Sequence, residues 1–373
     1  MKKINLYIDG LFFECSGIGR CYELLIKELQ KREEVGKIYT AVNIAKKKNF
    51  EEKIKNSQKV VPTYVDYKYF SPQEFFSKGK ILKDLENKVD LFHFLQVNLP
   101  LYLPKKFTVT IHDLEPLQRK NAFLKRNVFK IYFKRALKMS KKVITISNTV
   151  KEEILKTQPE AQEKITVIYP TIDQKFLEAK KENKRLVSDK YVLYVGNRKK
   201  HKNLGNLIKA FKIIKEKYPK LKLVIAGNKF AEKDEVDFLK KDLRLENEIL
   251  EFVSPKDEEI INLYFYAEIL VLPSFYEGFG LTPLEAISCG CPAITSNIPV
   301  LKEILGEKIA CFNPSSAEDI AEKITAVLEN KDKREELLLA GKERLKNFDK
   351  DKIIEDYLKC FKEVINNENS SNK

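Results

Sequence analysis

Short apolar runs alternate with longer amphipathic stretches from one end of this 373-residue chain to the other, which restricts it to parallel α/β architecture. Strands are expected at 4–9, 37–42, 89–94, 107–112 and 142–147, with helices over 18–31, 73–87, 122–139 and 149–156. Several of these strands are unbroken apolar runs, as expected where helices cover both faces of a sheet. The charge-rich stretch YPTIDQKFLEAKKENKRLVSDK (169–190) reads as a linker. The alternation then restarts, with strands at 191–196, 221–227, 249–253, 268–274, 291–296 and 308–312 and helices over 203–217, 257–267, 281–289 and 317–329. A last helix covers 351–366 and runs into a polar tail, NNENSSNK, expected to fray. Two doubly wound sheets in succession, residues 1–170 and 171–350, account for this pattern most economically.

Composition removes several function classes. At 43% hydrophobic and 33% charged, the chain is ordinary for a folded soluble protein. No run approaches the roughly 18 apolar residues of a membrane span. The start, MKKINLYIDG, resembles a secretory signal but meets Asp9 too early, so it reads as a first strand and the chain is expected to be cytoplasmic. Cys15, Cys21, Cys289, Cys291, Cys311 and Cys360 form no Cys-x-x-Cys pair, and the histidines are only His93, His112 and His201. Zinc, haem and a disulfide framework are therefore not expected, and the thiols read as free and mostly buried. The net charge of +15 suits a polyanion without choosing between nucleic acid, anionic membrane and a phosphorylated substrate. No aromatic–basic module for nucleic acid is present, so none is expected as partner.

Four motifs carry chemistry. SGIGR (16–20) lies between a strand and a helix, where Gly17 and Gly19 could bring backbone amides to a phosphate or merely make a tight turn. TIHDLEPLQ (110–118) puts His112 and Asp113 at the C-terminal end of a central strand, where ligands of open α/β sheets collect; a capped strand end is the alternative. VGNRKKHKNL (195–204) places Arg198 and Lys202 at a helix start, against its dipole, so a bound anion would relieve both; a solvated basic turn is the bland reading. In PSFYEGFGLTPLEAISCGCPAITS (273–296), seven residues separate Glu277 from Glu285. Pro283 falls in the first helical turn and Gly290 ends the helix, while Gly278, Phe279 and Gly280 lead into a second anion cradle.

In this order and spacing the four segments, together with VITISNTVKEEI, resemble the family-four retaining glycosyltransferases, also called group 1, over nearly the whole chain. The resemblance implies the GT-B fold: two Rossmann-like domains facing a central cleft where the reaction runs, with helix 351–366 returning to the first. Gly17 and Gly19 would face the donor diphosphate or the acceptor. His112 would contact the donor sugar near its primary hydroxyl, with Asp113 beside it. Arg198 and Lys202, following Gly196, would clamp the diphosphate. Glu277 would hold sugar hydroxyls, Glu285 the nucleotide ribose, and Gly278, Phe279, Gly280 and Leu281 would lie along phosphates and ribose. No cofactor and no metal are implied; the only Asp-x-Asp, at 349–351, precedes a helix rather than following a strand.

The motifs look most like bacterial mannosyl- and rhamnosyltransferases of capsule and lipopolysaccharide assembly. GDP-mannose is the first choice of donor, with dTDP-rhamnose or a UDP-sugar close behind, and a glycan or polyprenyl-linked acceptor. Cys291 stands where many relatives have Gly-Thr-Pro or Gly-Val-Pro, a change that touches packing. The rivals are a phosphorylase, a nucleotide-sugar epimerase and a basic nucleic-acid-binding protein. Finally, Arg119, Lys120, Lys125, Arg126, Lys130, Lys134, Arg135, Lys138, Lys141 and Lys142 occur without one acidic residue among 119–142. They read either as the solvated face of a helix packed on the first sheet or as a surface that docks peripherally on anionic phospholipid. The second reading does not require insertion, because the aromatic side of the helix can pack on the core.

Overall fold

Apolar runs without alternation become strands buried on both faces. The computed structural model describes residues 3–118 and 123–367; Arg119 and Lys120 of the basic stretch, and 368–373 of the polar tail, lie outside the described residues. The chain divides into two compact units, one made of residues up to Pro170 together with those from Lys350 onward, the other of Thr171–Asp349.

The first unit runs β1 (Ile4–Ile8), α1 (Ser16–Leu29), β2 (Val35–Asn43), α2 (Lys47–Ile54), β3 (Val60–Val65), α3 (Pro72–Leu85), β4 (Leu91–Phe94), β5 (Phe107–Ile111), α4 (Glu115–Gln118), α5 (Phe123–Met139), β6 (Lys142–Thr145), α6 (Asn148–Leu155) and β7 (Ile165–Val167). Its sheet has the order β3-β2-β1-β4-β5-β6-β7, and every neighbouring pair is parallel. Tyr7, Phe92, Phe94, Val109 and Val143 belong to one buried cluster and Leu6, Ile8, Leu91 and Ile144 to another, so the pleat sends alternate residues into two cores.

The second unit runs α7 (Gln174–Leu177), β8 (Tyr191–Val195), α8 (Leu204–Lys217), β9 (Lys222–Gly227), α9 (Glu235–Asp242), β10 (Ile249–Val253), α10 (Asp257–Tyr266), β11 (Ile269–Leu272), α11 (Leu281–Ser288), β12 (Ala293–Ser296), α12 (Pro299–Leu305), β13 (Ala310–Phe312), α13 (Ala317–Glu329) and α14 (Lys331–Leu345). Its sheet order is β10-β9-β8-β11-β12-β13, again all parallel. Both units therefore have the doubly wound topology expected of them, with a switch point between β1 and β4 and between β8 and β11.

α15 (Lys350–Asn367) belongs to the first unit. Ile353, Ile354, Tyr357, Leu358, Phe361 and Val364 form a buried stripe at helical spacing and share a core with α1. The stretch expected as a linker is no free tether. Ile172, Phe176 and Val187 are buried, and the Phe176 ring lies 6.0 Å from that of Tyr264 in the second unit.

Candidate active site

In the second unit the strand ends are held so close that side chains are excluded. A Cβ on Gly227 would stand 1.9 Å from the Gly196 carbonyl oxygen, so this approach of the two strand exits requires glycine at 227. The chain then turns through 197–203. Asn203 closes the turn in the left-handed region, at φ 58°, and its buried Nδ2 donates to the carbonyls of Pro273 (2.8 Å) and Pro314 (2.7 Å). The Phe275 amide donates to the His201 carbonyl at 2.8 Å. These bonds tie the exit of β8 to the exit of β11 and set Lys202 opposite Glu277.

Lys202 Nζ donates to both carboxylate oxygens of Glu277, at 2.7 and 2.8 Å, and Ser274 Oγ donates to Oε1 at 2.7 Å. The two side chains keep 15% and 10% of their surface. The pair is therefore ordered yet still reached by water, and the ammonium has a third N–H beyond those on the carboxylate.

Arg198 is placed differently. Its guanidinium keeps 1% of its surface, Nη2 donates to Glu251 Oε2 at 2.6 Å, and Nη1 lies 3.5 Å from Asp234 Oδ2. Nε is buried with no partner. Burial alone would push the Glu251 carboxyl up, but hydrogen bonds from Lys240 and Arg198 outweigh it and hold it below the usual range. Glu251 and Asp234 escape the sequence reading. Glu251 is one position in a strand, while Asp234 is legible only as the cap of α9, whose Val236 amide it accepts at 3.0 Å.

Gly280 caps α11 at φ 100°, with a would-be Cβ 2.6 Å from Leu301 Cδ2. Leu281 and Thr282 open the helix with amides that have no acceptor one turn back, and Pro283 has no amide to satisfy. At the other end the Gly290 amide donates to Ile287 and that of Cys291 to Ala286, a Schellman closure. The Phe279 ring is buried 5.5 Å from Phe348, so only its backbone can serve a ligand. Gly278 and Leu281 are half-buried. Glu285 is 2% exposed and accepts from the Tyr264 hydroxyl at 3.1 Å.

The first unit offers another kind of chemistry. His112 follows β5, is buried, and its Nε2 has no partner. Burial pushes its pKa down to about 4, against an opposing hydrogen bond to the Leu95 backbone, so the ring is neutral near pH 7. Asp113 Oδ1 accepts from the Glu115 amide at 3.0 Å and caps α4. Gly19 is needed by the fold, since a Cβ would meet the Phe12 carbonyl at 2.6 Å, whereas Gly17 has open space around its Cα.

A buried ionic cluster at the end of β1 escapes the sequence reading altogether. Lys78 Nζ donates to Asp9 Oδ2 (2.7 Å) and Glu74 Oε1 (2.6 Å), and Asn98 Nδ2 reaches both Glu74 oxygens (2.8 and 2.9 Å). The Tyr7 and Tyr67 hydroxyls and Asp9 Oδ1 are buried without partners. Glu74 and Lys78 stand four apart on α3, which in sequence looks like any exposed helical ion pair.

Comparison with known proteins agrees with this architecture. Residues 16–176 match the family described as Glycosyltransferase Family 4, and residues 175–344 match the one described as Glycosyl transferases group 1. The chain is 33% identical over 207 residues to the O-antigen chain mannosyltransferase RfbU of Salmonella typhimurium strain LT2, a match spanning 56% of each chain and so only about half of that relative's length. It is 24% identical over 311 residues to the O-antigen chain mannosyltransferase B of Escherichia coli, covering 80% of this chain and 75% of that one. A solved glycosyltransferase from Rickettsia africae ESF-5 superposes with a TM-score of 0.74 at 20% identity, covering 98% and 99% of the two chains, which speaks for the fold. From the α1 loop to the end of α14, then, this chain is a member of the family 4, or group 1, glycosyltransferases.

Proposed function

We propose that this protein transfers a hexose, mannose from GDP-mannose in the first instance, to a glycan or lipid-linked acceptor of a cell-surface polysaccharide, with retention at the anomeric carbon. The observation that carries the reading is the Lys202–Glu277 pair, a water-accessible cation and carboxylate fixed side by side at the β8 and β11 exits. The two O-antigen mannosyltransferases among the relatives support the sugar and the pathway class.

In this reading the third N–H of Lys202 and the orphaned Nε of Arg198 take the diphosphate oxygens as negative charge develops on the leaving group. The amides of Leu281 and Thr282 add the dipole end of α11. Glu277 holds sugar hydroxyls, Glu285 the ribose, and the neutral His112 hydrogen-bonds a hydroxyl of the sugar. The acceptor oxygen bonds to the anomeric carbon on the face that the diphosphate leaves, and its proton passes to the departing phosphate oxygen. No protein nucleophile is needed. We assign the leaving-group charge to these two cations and the α11 amides rather than to a metal ion. Turnover should accordingly survive chelation.

Thermal unfolding with GDP-mannose, dTDP-rhamnose and UDP-glucose tests the proposal. At about 100 times its dissociation constant the true donor adds roughly 2.7 kcal/mol. Strongest protection by dTDP-rhamnose or UDP-glucose moves the donor to that sugar. Protection by none of them, in a protein that unfolds cooperatively, overturns the proposal.

A further inference from the structure

Helix α5 has two apolar sides. Phe129, Phe133, Ala136 and Leu137 are buried in the first unit's core, as an aromatic side packed on the sheet requires. Opposite them, Leu124, Val128 and Ile131 make a second ridge at i, i+4, i+7, exposed by 76%, 43% and 68%, with Phe123 exposed beside it. Nothing in the core accounts for this second ridge. It also continues beyond the helix. The Tyr132 ring contacts those of Phe70 and Phe75, and Arg135 donates to the carbonyls of Leu99 and Leu101. Phe70, Phe76 and Leu101, all exposed, therefore extend the patch.

Its rim is cationic. Lys125, Lys130, Lys134 and Lys138 are exposed, and no carboxylate among the described residues pairs with them. Around α5, then, cations without a carboxylate partner adjoin exposed apolar surface. No helix among the described residues is long and apolar enough to cross a membrane.

We propose that this face docks on an anionic phospholipid surface, its lysines meeting headgroup phosphates while Phe123, Leu124, Val128 and Ile131 enter the headgroup–acyl boundary. An apolar ridge rimmed by lysines is complementary to such a surface, which presents negative charge above hydrocarbon. The aromatic side packs on the core, and the exposed ridge is what adds shallow insertion to the docking considered from sequence. The proposal stands independently of the reaction proposed above.

The chain has no tryptophan, so Leu124→Trp installs a single fluorescent reporter on the ridge. Leu339→Trp, on an exposed residue of α14, is the control. With vesicles of phosphatidylglycerol and phosphatidylcholine at low salt, Leu124→Trp emission should move to the blue and be quenched by brominated acyl chains, and Leu339→Trp should not respond. Raising salt to about 1 M, where the Debye length is about 3 Å, should largely abolish binding. Replacing Lys125, Lys130 and Lys134 by Glu should lower the vesicle partition coefficient at least about 100-fold. Unchanged Leu124→Trp emission in a protein with native circular dichroism overturns the proposal. So does a blue shift that appears without vesicles and grows with protein concentration, which would give the face to a second copy of the chain. Equal binding to pure phosphatidylcholine overturns the anionic requirement and the proposal with it.

Discussion

The two sheets share the strand order 3-2-1-4-5-6 counted from the first strand of each, the first adding β7 at its edge, yet they differ in how far water reaches the polar groups at their strand ends. In the second unit the Lys202–Glu277 pair keeps some of its surface in contact with water. In the first, His93 and His112 are buried, and the Asp9–Lys78–Glu74 cluster is held by its own ion pairs. One topology thus builds an end where an ion pair meets water beside the buried Arg198, and another where these polar groups are withdrawn from it. Burial decides between them, because a desolvated charge without a partner is too costly to keep.

The largest expected break in this comparison is acidification. Burial lowers the pKa of His93 to about 3 and of His112 to about 4, from an ordinary 6.5. Both folded values are depressed, so the stabilisation they give is complete above about pH 6.5 and is lost as pH falls through the folded values. Each histidine contributes on the order of 3 kcal/mol over that window, because the unfolded chain binds protons that the folded chain refuses. Hydrogen exchange followed on peptides of β4 and β5 should show the first unit losing protection between about pH 6.5 and pH 4. His93→Asn with His112→Asn should flatten that dependence. An unchanged slope in the double variant would show that the acid response lies elsewhere.

Next come the charged residues of the second unit. Lys202→Ala should lower kcat/KM by about 100-fold or more, roughly 2.7 kcal/mol of transition-state stabilisation, with the fold intact. Glu277→Gln should have a comparable effect, mostly in kcat. Because the two side chains touch, the double variant should lose little more than the worse single one. Near-normal turnover in a folded Lys202→Ala, or fully additive losses, would remove the pair from the reaction.

The same contrast decided what could be read from sequence. The second unit's motif was legible because Gly280, Pro283 and Gly290 mark both ends of α11 within ten residues, by local backbone rules. β3 was not, since Pro62 interrupts VVPTYV; the strand tolerates it because it lies at the sheet edge and pairs only with β2. β7, three residues at the opposite edge, is too short to show a period. α14 was missed because Leu337, Leu338 and Leu339 are consecutive rather than spaced around one face, and Leu339 is exposed. The partners of Arg198 lie 36 and 53 residues away on separate elements, so no spacing announces them. The exposed side of α5 illustrates another limit. Its apolar residues and its charges were all visible, but which of two apolar ridges meets the sheet is settled only by packing.

The smallest effects fall on nucleotide affinity, at Glu285. This carboxylate is buried and its Oε2 accepts from the Tyr264 hydroxyl of the neighbouring α10, an arrangement that restrains its rotamer. Glu285→Gln keeps the shape but replaces one acceptor with an amide donor. It should weaken binding of the free nucleoside diphosphate by about 10-fold, about 1.4 kcal/mol, and raise the donor KM while kcat changes little. Tyr264→Phe removes only the orienting hydroxyl, and its loss should be smaller, about 3-fold, in line with a single hydrogen bond of roughly 1 kcal/mol. Calorimetric titration of both variants with the nucleoside diphosphate distinguishes the roles. A ribose contact held in place by Tyr264 requires that ranking, with Glu285→Gln the weaker binder. Wild-type affinity in a folded Glu285→Gln would make the buried carboxylate a packing device of α11, and the donor end of the second unit would then rest on Lys202, Arg198 and backbone amides alone.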